Sequence, residues 1–549
     1  MQKAKYYITS FLLAIAFTIN AQLPTGPEIV WQRCFGSSGV DYFIDVIKLA
    51  DSSILTSQVY GFPDGDAEGL YELSVPAILT KFTSDLEIIW QRYFGGNTCG
   101  SGITNIIPLP DGTIMTAGGT CSTDGDFTDN HSDAGDIFLL KTDVDGNKLW
   151  SRCYGGSAKD YITGCIATQD GGFLITGYTG SSDGDIPFHY GASAFYDALI
   201  FKTDSAGNIE WLKVIGGTSV DYVISSVEID SEKYFFAVAS TSDDIDFEGV
   251  GLDDYAKVLY FEIDISGNIN QKSYYSGDNE IRGYISASKI HDGKVLLVNV
   301  VADSSNYVES FGMEDGVIAV LDDSLHFNTI KNFGGSKNDA LLRVVADEAG
   351  NYYLLGYSYS PDGDLPGNYN DGAYNDYWLM ATDHNFNLLW SRNFGGKFNN
   401  NKSDVSTLLG NLIVDENYIT CFISCVVPDS FPDMDIECGF PSLSSGYTDS
   451  WIVRFDLNTV SVQEPSITPD FFTVYPNPTQ HQITITMNQD ISPCYNNYVV
   501  LIDMKGRKLA EAEFNYTYSM DVSNLAPGLY MVLVYCNEFL QYKKIVIQH

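Results

Sequence analysis

Short runs of apolar residues, alternating with polar ones at a period of two, fill most of the chain, and the runs recur about every sixty residues. Residues 136–160, DIFLLKTDVDGNKLWSRCYGGSAKD, show the phrase most clearly. Two strand-like runs, 137–142 and 149–154, flank an Asp-Gly turn; a Gly-Gly pair ends the second run and an Asp opens the next. Trp31, Trp90, Trp150 and Trp211 mark the same place in successive copies, 59, 60 and 61 residues apart, and Trp390 follows 179 later. A fixed period of this length predicts an array of equivalent supersecondary units.

The third copy predicts four strands, 161–167, 173–178, 198–203 and 209–215. Asp170-Gly171-Gly172 and Gly207-Asn208 make the tight turns, since these residues accept positive φ. A longer loop carrying Asp183-Gly184-Asp185 separates the second strand from the third. Four antiparallel strands per copy describe a propeller blade. Terminal glycines count seven copies: Gly36, Gly95-Gly96, Gly155-Gly156, Gly216-Gly217, Gly277, Gly334-Gly335 and Gly395-Gly396. The chain begins with a fourth strand, 28–35, and its last copy stops after a third, 451–456. These are complementary parts of one copy. The expectation is an all-β fold over residues 22–460, a seven-bladed β-propeller of four-stranded blades with strand-swap (velcro) closure.

The period ends near residue 462. VQEPSITPD has two prolines and no alternation, so 461–470 reads as an extended linker. Residues 471–549 form a separate small domain, with strands expected at 483–487, 498–503, 529–536 and 543–547; this spacing suggests an immunoglobulin-like β-sandwich. At the other end, Lys3 and Lys5 precede an apolar run, 8–19, and Ala21 offers a cleavage point, so 1–21 reads as an export signal. No apolar run approaches the roughly 20 residues of a membrane-spanning helix, so no transmembrane segment is expected. A net charge of −41 argues against nucleic acid and anionic membrane as partners, since both need a basic footprint. Ten cysteines in an exported chain permit disulfides, with Cys425–Cys438 and Cys494–Cys536 the preferred pairs.

Four motifs lie in order along the last domain: Tyr475-Pro476-Asn477-Pro478, Ile502-Asp503-Met504-Lys505-Gly506, Leu525-Ala526-Pro527-Gly528-Leu529-Tyr530, and Lys543-Lys544-Ile545. Together they resemble the C-terminal type A sorting domain of proteins exported by the type IX secretion system of Bacteroidota. The resemblance implies recognition by the outer-membrane translocon and removal by a sortase-like peptidase. The passenger is then released or attached to surface lipopolysaccharide, and so is secreted or on the outer cell surface. The array in turn resembles the seven-bladed β-propeller repeats of secreted bacterial proteins, which name a shape and not a reaction.

Candidate chemistry is dominated by aspartate. Asp-Gly-Asp occurs at Asp64/Asp66, Asp124/Asp126, Asp183/Asp185 and Asp362/Asp364. Paired carboxylates of this kind are candidate Ca²⁺ ligands, although calcium takes six to eight oxygens and the motif supplies two side chains. The competing reading is an Asx-type turn, in which Asp accepts backbone N–H groups and Gly takes positive φ. Asp41, Asp160, Asp221 and Asp339 each follow the closing glycines, and the third strands open on Asp136, Asp197, Asp254, Asp315, Asp376 and Asp449. A ring of such carboxylates near a propeller mouth suits acid–base cleavage of glycans, but recurrence in most copies points to a structural duty. Gly180-Ser181-Ser182-Asp183-Gly184 fits the GxSxG pattern of hydrolases without its strand–turn–helix setting. No catalytic or organic-cofactor site breaks the repeat. The reading is a non-catalytic binding or adhesion module that takes a glycan or protein ligand at one mouth. The alternatives are a secreted glycan-active hydrolase or lyase with axial carboxylates, and a structural surface-layer component.

Overall fold

A computed structural model describes residues 26–69, 75–192, 195–248, 257–274, 281–289, 295–302, 311–347, 349–365, 367, 375–395, 410–426, 435, 448–460, 472–487, 497–503, 507–536 and 539–548. The expected export signal, the expected linker 461–470, Gly277, the Asp254 strand opening, Gly396 and Gly506 lie outside them. Two compact units emerge, Pro24–Ser461 and the C-terminal Val462–His549.

Among the described residues, the strands of Pro24–Ser461 form seven four-stranded antiparallel sheets. Six follow chain order, as in Tyr42–Lys48, Ile54–Val59, Ala77–Phe82 and Ile88–Phe94. The remaining sheet has the order Glu28–Phe35, Thr448–Asp456, Tyr418–Val426, Asn411–Val414, so the opening strand of the array is hydrogen-bonded to its closing one. Glu28 stands opposite Asp456 and Phe35 opposite Ser450.

Burial explains the sequence pattern strand by strand. Second and third strands are covered on both faces, and in Ala77–Phe82 and Asp197–Thr203 every residue is buried. They therefore read as continuous apolar runs, and apolar layers form between successive sheets. One such layer joins Leu55 and Leu79 of one sheet to Ile103 and Phe138 of the next. First strands are half-buried, and each packs against the first strand of the following sheet. Tyr42–Lys48 touches both Ser101–Pro108 and Asn411–Val414, which makes the succession of first strands a closed cycle.

The C-terminal unit contains a three-stranded sheet (Phe472–Tyr475, Gln482–Met487, Thr517–Asp521) and a four-stranded one (Lys508–Phe514, Asn497–Asp503, Gly528–Cys536, Phe539–Ile547). Phe472, Ile483 and Ile485 of the first share one core with Val499, Val532 and Ile545 of the second. Phe472–Tyr475, Lys508–Phe514 and Thr517–Asp521 were not anticipated from sequence, because the last two show little burial to imprint an apolar alternation. The sorting motifs meet in space. Asn477 Nδ2 donates to the Lys544 carbonyl at 2.8 Å and Val546 N to Asn477 Oδ1 at 2.8 Å, while Tyr530 Oη donates to the Ala526 carbonyl at 2.7 Å. Lys543 Nζ lies 5.7 Å above the Phe472 ring. The peptide bonds before Pro476 and Pro478 are cis.

Cysteine chemistry differs from expectation. Cys99 and Cys121 are joined by a disulfide that the sequence did not suggest, and Cys34 is disulfide-bonded as well. Cys153, Cys165 and Cys421 are buried thiols whose ionisation burial suppresses. Cys425 is a buried thiol outside any disulfide, so the expected Cys425–Cys438 bridge is not formed; Cys494 and the Cys536 side chain lie outside the described residues, and with them the other expected pair.

Candidate functional site

The Asp-Gly-Asp loops are fasteners between a repeat's second-to-third-strand loop and the glycines that close the preceding sheet. In the third repeat, Asp183 Oδ1 accepts Ser157 N at 2.7 Å, Asp185 Oδ2 accepts Gly155 N at 3.3 Å, and Asp185 N returns a bond to the Gly155 carbonyl at 2.9 Å. Asp64 and Asp66 repeat this on Ser38 and Gly36, Asp124 and Asp126 on Asn97 and Gly95, and Asp362 and Asp364 on Ser336 and Gly334. Asp435 binds Gly395 N at 3.2 Å in the last repeat. Carboxylate oxygens named from sequence as calcium candidates therefore cap backbone N–H groups. Among the described residues, no three or more His, Cys, Asp or Glu side chains are grouped to hold a metal.

The middle residue of the motif takes the left-handed conformation, with φ from +59° to +76° at Gly65, Gly125, Gly184 and Gly363. A Cβ on Gly184 would lie 2.4 Å from the Gly155 carbonyl oxygen. In the fourth repeat the position is Ile245, held at φ +57°. There the return bond, Asp246 N to Gly216 O, stretches to 3.3 Å, against 2.9 Å for Asp66 N to Gly36 O. A β-branched residue in this region is strained. Ile245→Gly is expected to stabilise the protein by about 1 kcal/mol and Gly184→Ala to destabilise it by about 2 kcal/mol or more, read from urea midpoints.

Beneath the fasteners at Gly36, Gly155, Gly216 and Gly334 lie buried aspartates, whereas Ser101 and Pro76 flank Gly95. A Cβ on Gly155 would stand 2.6 Å from Asp136 Oδ1 and 2.7 Å from Asp160 Oδ2, so only glycine lets the two carboxyls close over it. Gly334 is hemmed in the same way by Asp315 and Asp339, and Gly36 by Asp449 and Asp41. The first-strand member is heavily hydrogen-bonded. Asp160 Oδ2 accepts Gly156 N and Ser181 Oγ, both at 2.8 Å, and Asp339 Oδ2 accepts Gly335 N and Ser360 Oγ, both at 2.7 Å. The third-strand member caps its own preceding loop: Asp136 accepts His131 N at 2.9 Å, Asp197 accepts Tyr190 N at 2.6 Å, and Asp315 accepts Phe311 N at 2.6 Å. Oδ1 of Asp136 and of Asp197 remains buried with no donor.

Burial raises these acids above the usual carboxylate range, Asp136 and Asp339 to about 6 and Asp197 to about 7, with Asp41, Asp160 and Asp221 raised as well. The carboxylates considered from sequence for acid–base work at a mouth are thus enclosed between sheets, because one repeat's Asp must meet the next repeat's glycine. Ser181, the serine of the GxSxG match, is buried and donates its hydroxyl to Asp160.

What does reach solvent at this end is aromatic. Tyr161 follows Asp160 and stacks on its cross-strand partner Tyr178 at 4.8 Å. Tyr196 meets both edge-on, at 6.0 and 5.2 Å, and Tyr222, opening the next first strand, stands 6.2 Å from Tyr178. The corresponding end of the sixth repeat has a cavity of about 400 Å³ lined by Met313, Lys337, Asn338, Tyr357 and Tyr359. Sequence reasoning passed over these tyrosines. The usable signal was Tyr42, Tyr161 and Tyr222 each following the recurrent first-strand Asp.

Residues 473–548 match the family described as secretion system C-terminal sorting domain. No curated protein matches the sequence. Among solved structures the chain is similar to YCF48 bound to D1 peptide, at 8% identity over 80% of this chain and 99% of that one, with a TM-score of 0.38. It is also similar to a PL25 polysaccharide lyase, an ulvan lyase bound to -[GlcA(1-4)Rha3S]-, at 9% identity over 72% and 93% with a TM-score of 0.39. Puromycin hydrolase follows at 10% identity over 85% of this chain and 63% of that chain, with a TM-score of 0.42.

Proposed function

We propose that this type IX cargo, marked by its sorting domain as secreted or cell-surface, delivers a seven-bladed β-propeller that acts as a non-catalytic binding module. The seven sheets are its blades, the pairing of Glu28–Phe35 with Thr448–Asp456 closes it, and the C-terminal domain is an immunoglobulin-like sandwich read by the translocon and a sortase-like peptidase. The ligand is a glycan held at the tyrosine-bearing mouth.

The observation that carries this reading is the cluster of Tyr161, Tyr178, Tyr196 and Tyr222 across two adjoining sheets. Each ring offers an apolar face and a polar tip, the combination that receives the C–H face of a sugar while bonding its hydroxyls. The cavity at Tyr357 and Tyr359 adds Lys337 and Asn338 as polar contacts at a second point of the same rim. A glycan array probed with the full chain is expected to give discrete hits, and Tyr161→Ala with Tyr178→Ala to weaken them roughly tenfold, as loss of aromatic contacts worth about 0.5–1.5 kcal/mol each would require. Hits of unchanged strength in the double variant would remove the mouth as the site. Turnover of a glycan by the unmodified chain would replace binding with catalysis.

A further inference from the structure

Five first strands carry a one-residue β-bulge, and the residue that resumes the ladder stands at one level of the ring's inner wall. These residues are Asp45, Asn105, Gly164, Ser225 and Arg343, opposite Ser57, Ala117, Thr176, Ala237 and Leu355. All five are half-buried, on strands that pack in a closed cycle, so the level lies in the axial channel. Two of them are charged, with opposite sign.

We propose that Arg343 forms an anion site in this channel and takes a singly charged carboxylate ligand. The two charges are not equally satisfied. Asp45 has three donors: Val46 N at 2.9 Å and Asn411 Nδ2 at 3.0 Å on Oδ1, and Ile106 N at 2.8 Å on Oδ2. It thereby links the strands on both sides of its own. Arg343 has five N–H donors. Nη1 donates to the adjacent Leu342 carbonyl at 3.0 Å, and the guanidinium makes no ion pair among the described residues. Asp45 acts on it only through space, and the surrounding strands desolvate both.

A desolvated guanidinium with most of its fork open is matched by the planar, two-oxygen edge of a carboxylate. At the same level Asn105 Oδ1 is a buried acceptor with no donor among the described residues, a place for a hydroxyl of the ligand. The Asp45 charge sets the selectivity. It disfavours a second negative charge in the channel, so a carboxylate monoanion is preferred to sulfate or phosphate. The site rests on the closed ring and not on the tyrosine mouth.

Isothermal titration of the full chain at neutral pH and low salt, with sodium glucuronate, sodium acetate, sodium sulfate and glucose as probes, tests this. Both carboxylates are expected to give saturable heat at one site per chain, sulfate weaker heat, and glucose none. Stronger binding of glucuronate than of acetate identifies a sugar acid as the source of the carboxylate; equal binding identifies a free organic acid. Arg343→Gln should weaken carboxylate binding at least tenfold, and Asp45→Asn should tighten it roughly tenfold by removing a like charge. Tyr161→Ala should leave it unchanged. Absence of heat from both carboxylates, or carboxylate heat indifferent to Arg343→Gln, overturns the proposal. If Arg343→Gln does not fold, an Asp45→Asn affinity equal to that of the unmodified chain overturns it instead.

Discussion

Deletion of Glu28–Phe35 is expected to abolish the single cooperative unfolding transition of Pro24–Ser461 and to drive the chain into aggregates. The deletion uncovers Trp451, Val453 and Phe455, all fully buried, and removes Cys34 and Phe35 from the core. At roughly 1.5–3 kcal/mol for each large side chain, the loss is comparable to the whole stability of an ordinary domain. It also leaves Thr448–Asp456 as a flat apolar edge, the kind that pairs with other chains. Circular dichroism melts and size-exclusion chromatography read both effects. A synthetic peptide of the sequence EIVWQRCF, added in trans, should restore the melt in part. A deleted chain that melts with the intact one would end the closed-ring reading.

The second large effect is on pH. Asp197, Asp136 and Asp339 hold their protons to about 7, 6 and 6, against 3.8 for an ordinary Asp carboxyl, with burial as the main cause. The folded state therefore binds protons more tightly than the unfolded chain between about pH 4 and 7. Stability from these groups is fully present below the unfolded value and is lost as pH rises through 6 to 7. Each unit of displacement corresponds to about 1.4 kcal/mol, so the three together outweigh most single substitutions. The groups facing them are His189, Asp221 and Asp246 around Asp197, His131 and Asp160 around Asp136, and Asp315 beside Asp339. His131 opposes the trend only while it is charged; desolvation lowers its affinity for a proton, but the hydrogen bond to Asp136 and the charges of Asp136, Asp185 and Asp129 together raise it. The melting temperature is expected to be higher at pH 5 than at pH 8, and Asp197→Asn, which needs no proton to stay neutral, should flatten the difference. A melting temperature that climbs from pH 5 to pH 8 would contradict the assignment.

Much of the architecture was legible because it repeats. Asp-Gly turns, strand alternation and the split of one repeat between residues 28–35 and 451–456 are local or periodic signals, and the pairing of Glu28 through Phe35 with Asp456 through Ser450 is what they implied. The role of the Asp-Gly-Asp loops was harder to see. Their donors lie at fixed offsets of 26 and 30 residues, as in Ser157 with Asp183 and Gly155 with Asp185, and an offset is not visible as a motif. In the second repeat the offsets are 27 and 31, and the extra residue sits in the loop that carries Cys99. That insertion was the sequence trace of the Cys99–Cys121 bridge. The Asp45–Arg343 level was illegible for another reason. It is assembled from different repeats, at a position where the repeat is least alike, so a search for regularity discards it.

The Asp-Gly-Asp fasteners also bear on ancestry. Each joint takes its acceptors from one copy and its donors from the copy just before, in the same register around the circle. A tandem duplication of about sixty codons therefore brings a complete half-joint at either border, compatible with whatever flanks it. Numbers of copies can change without any new interface having to be invented, while the wall of the channel is free to diverge residue by residue.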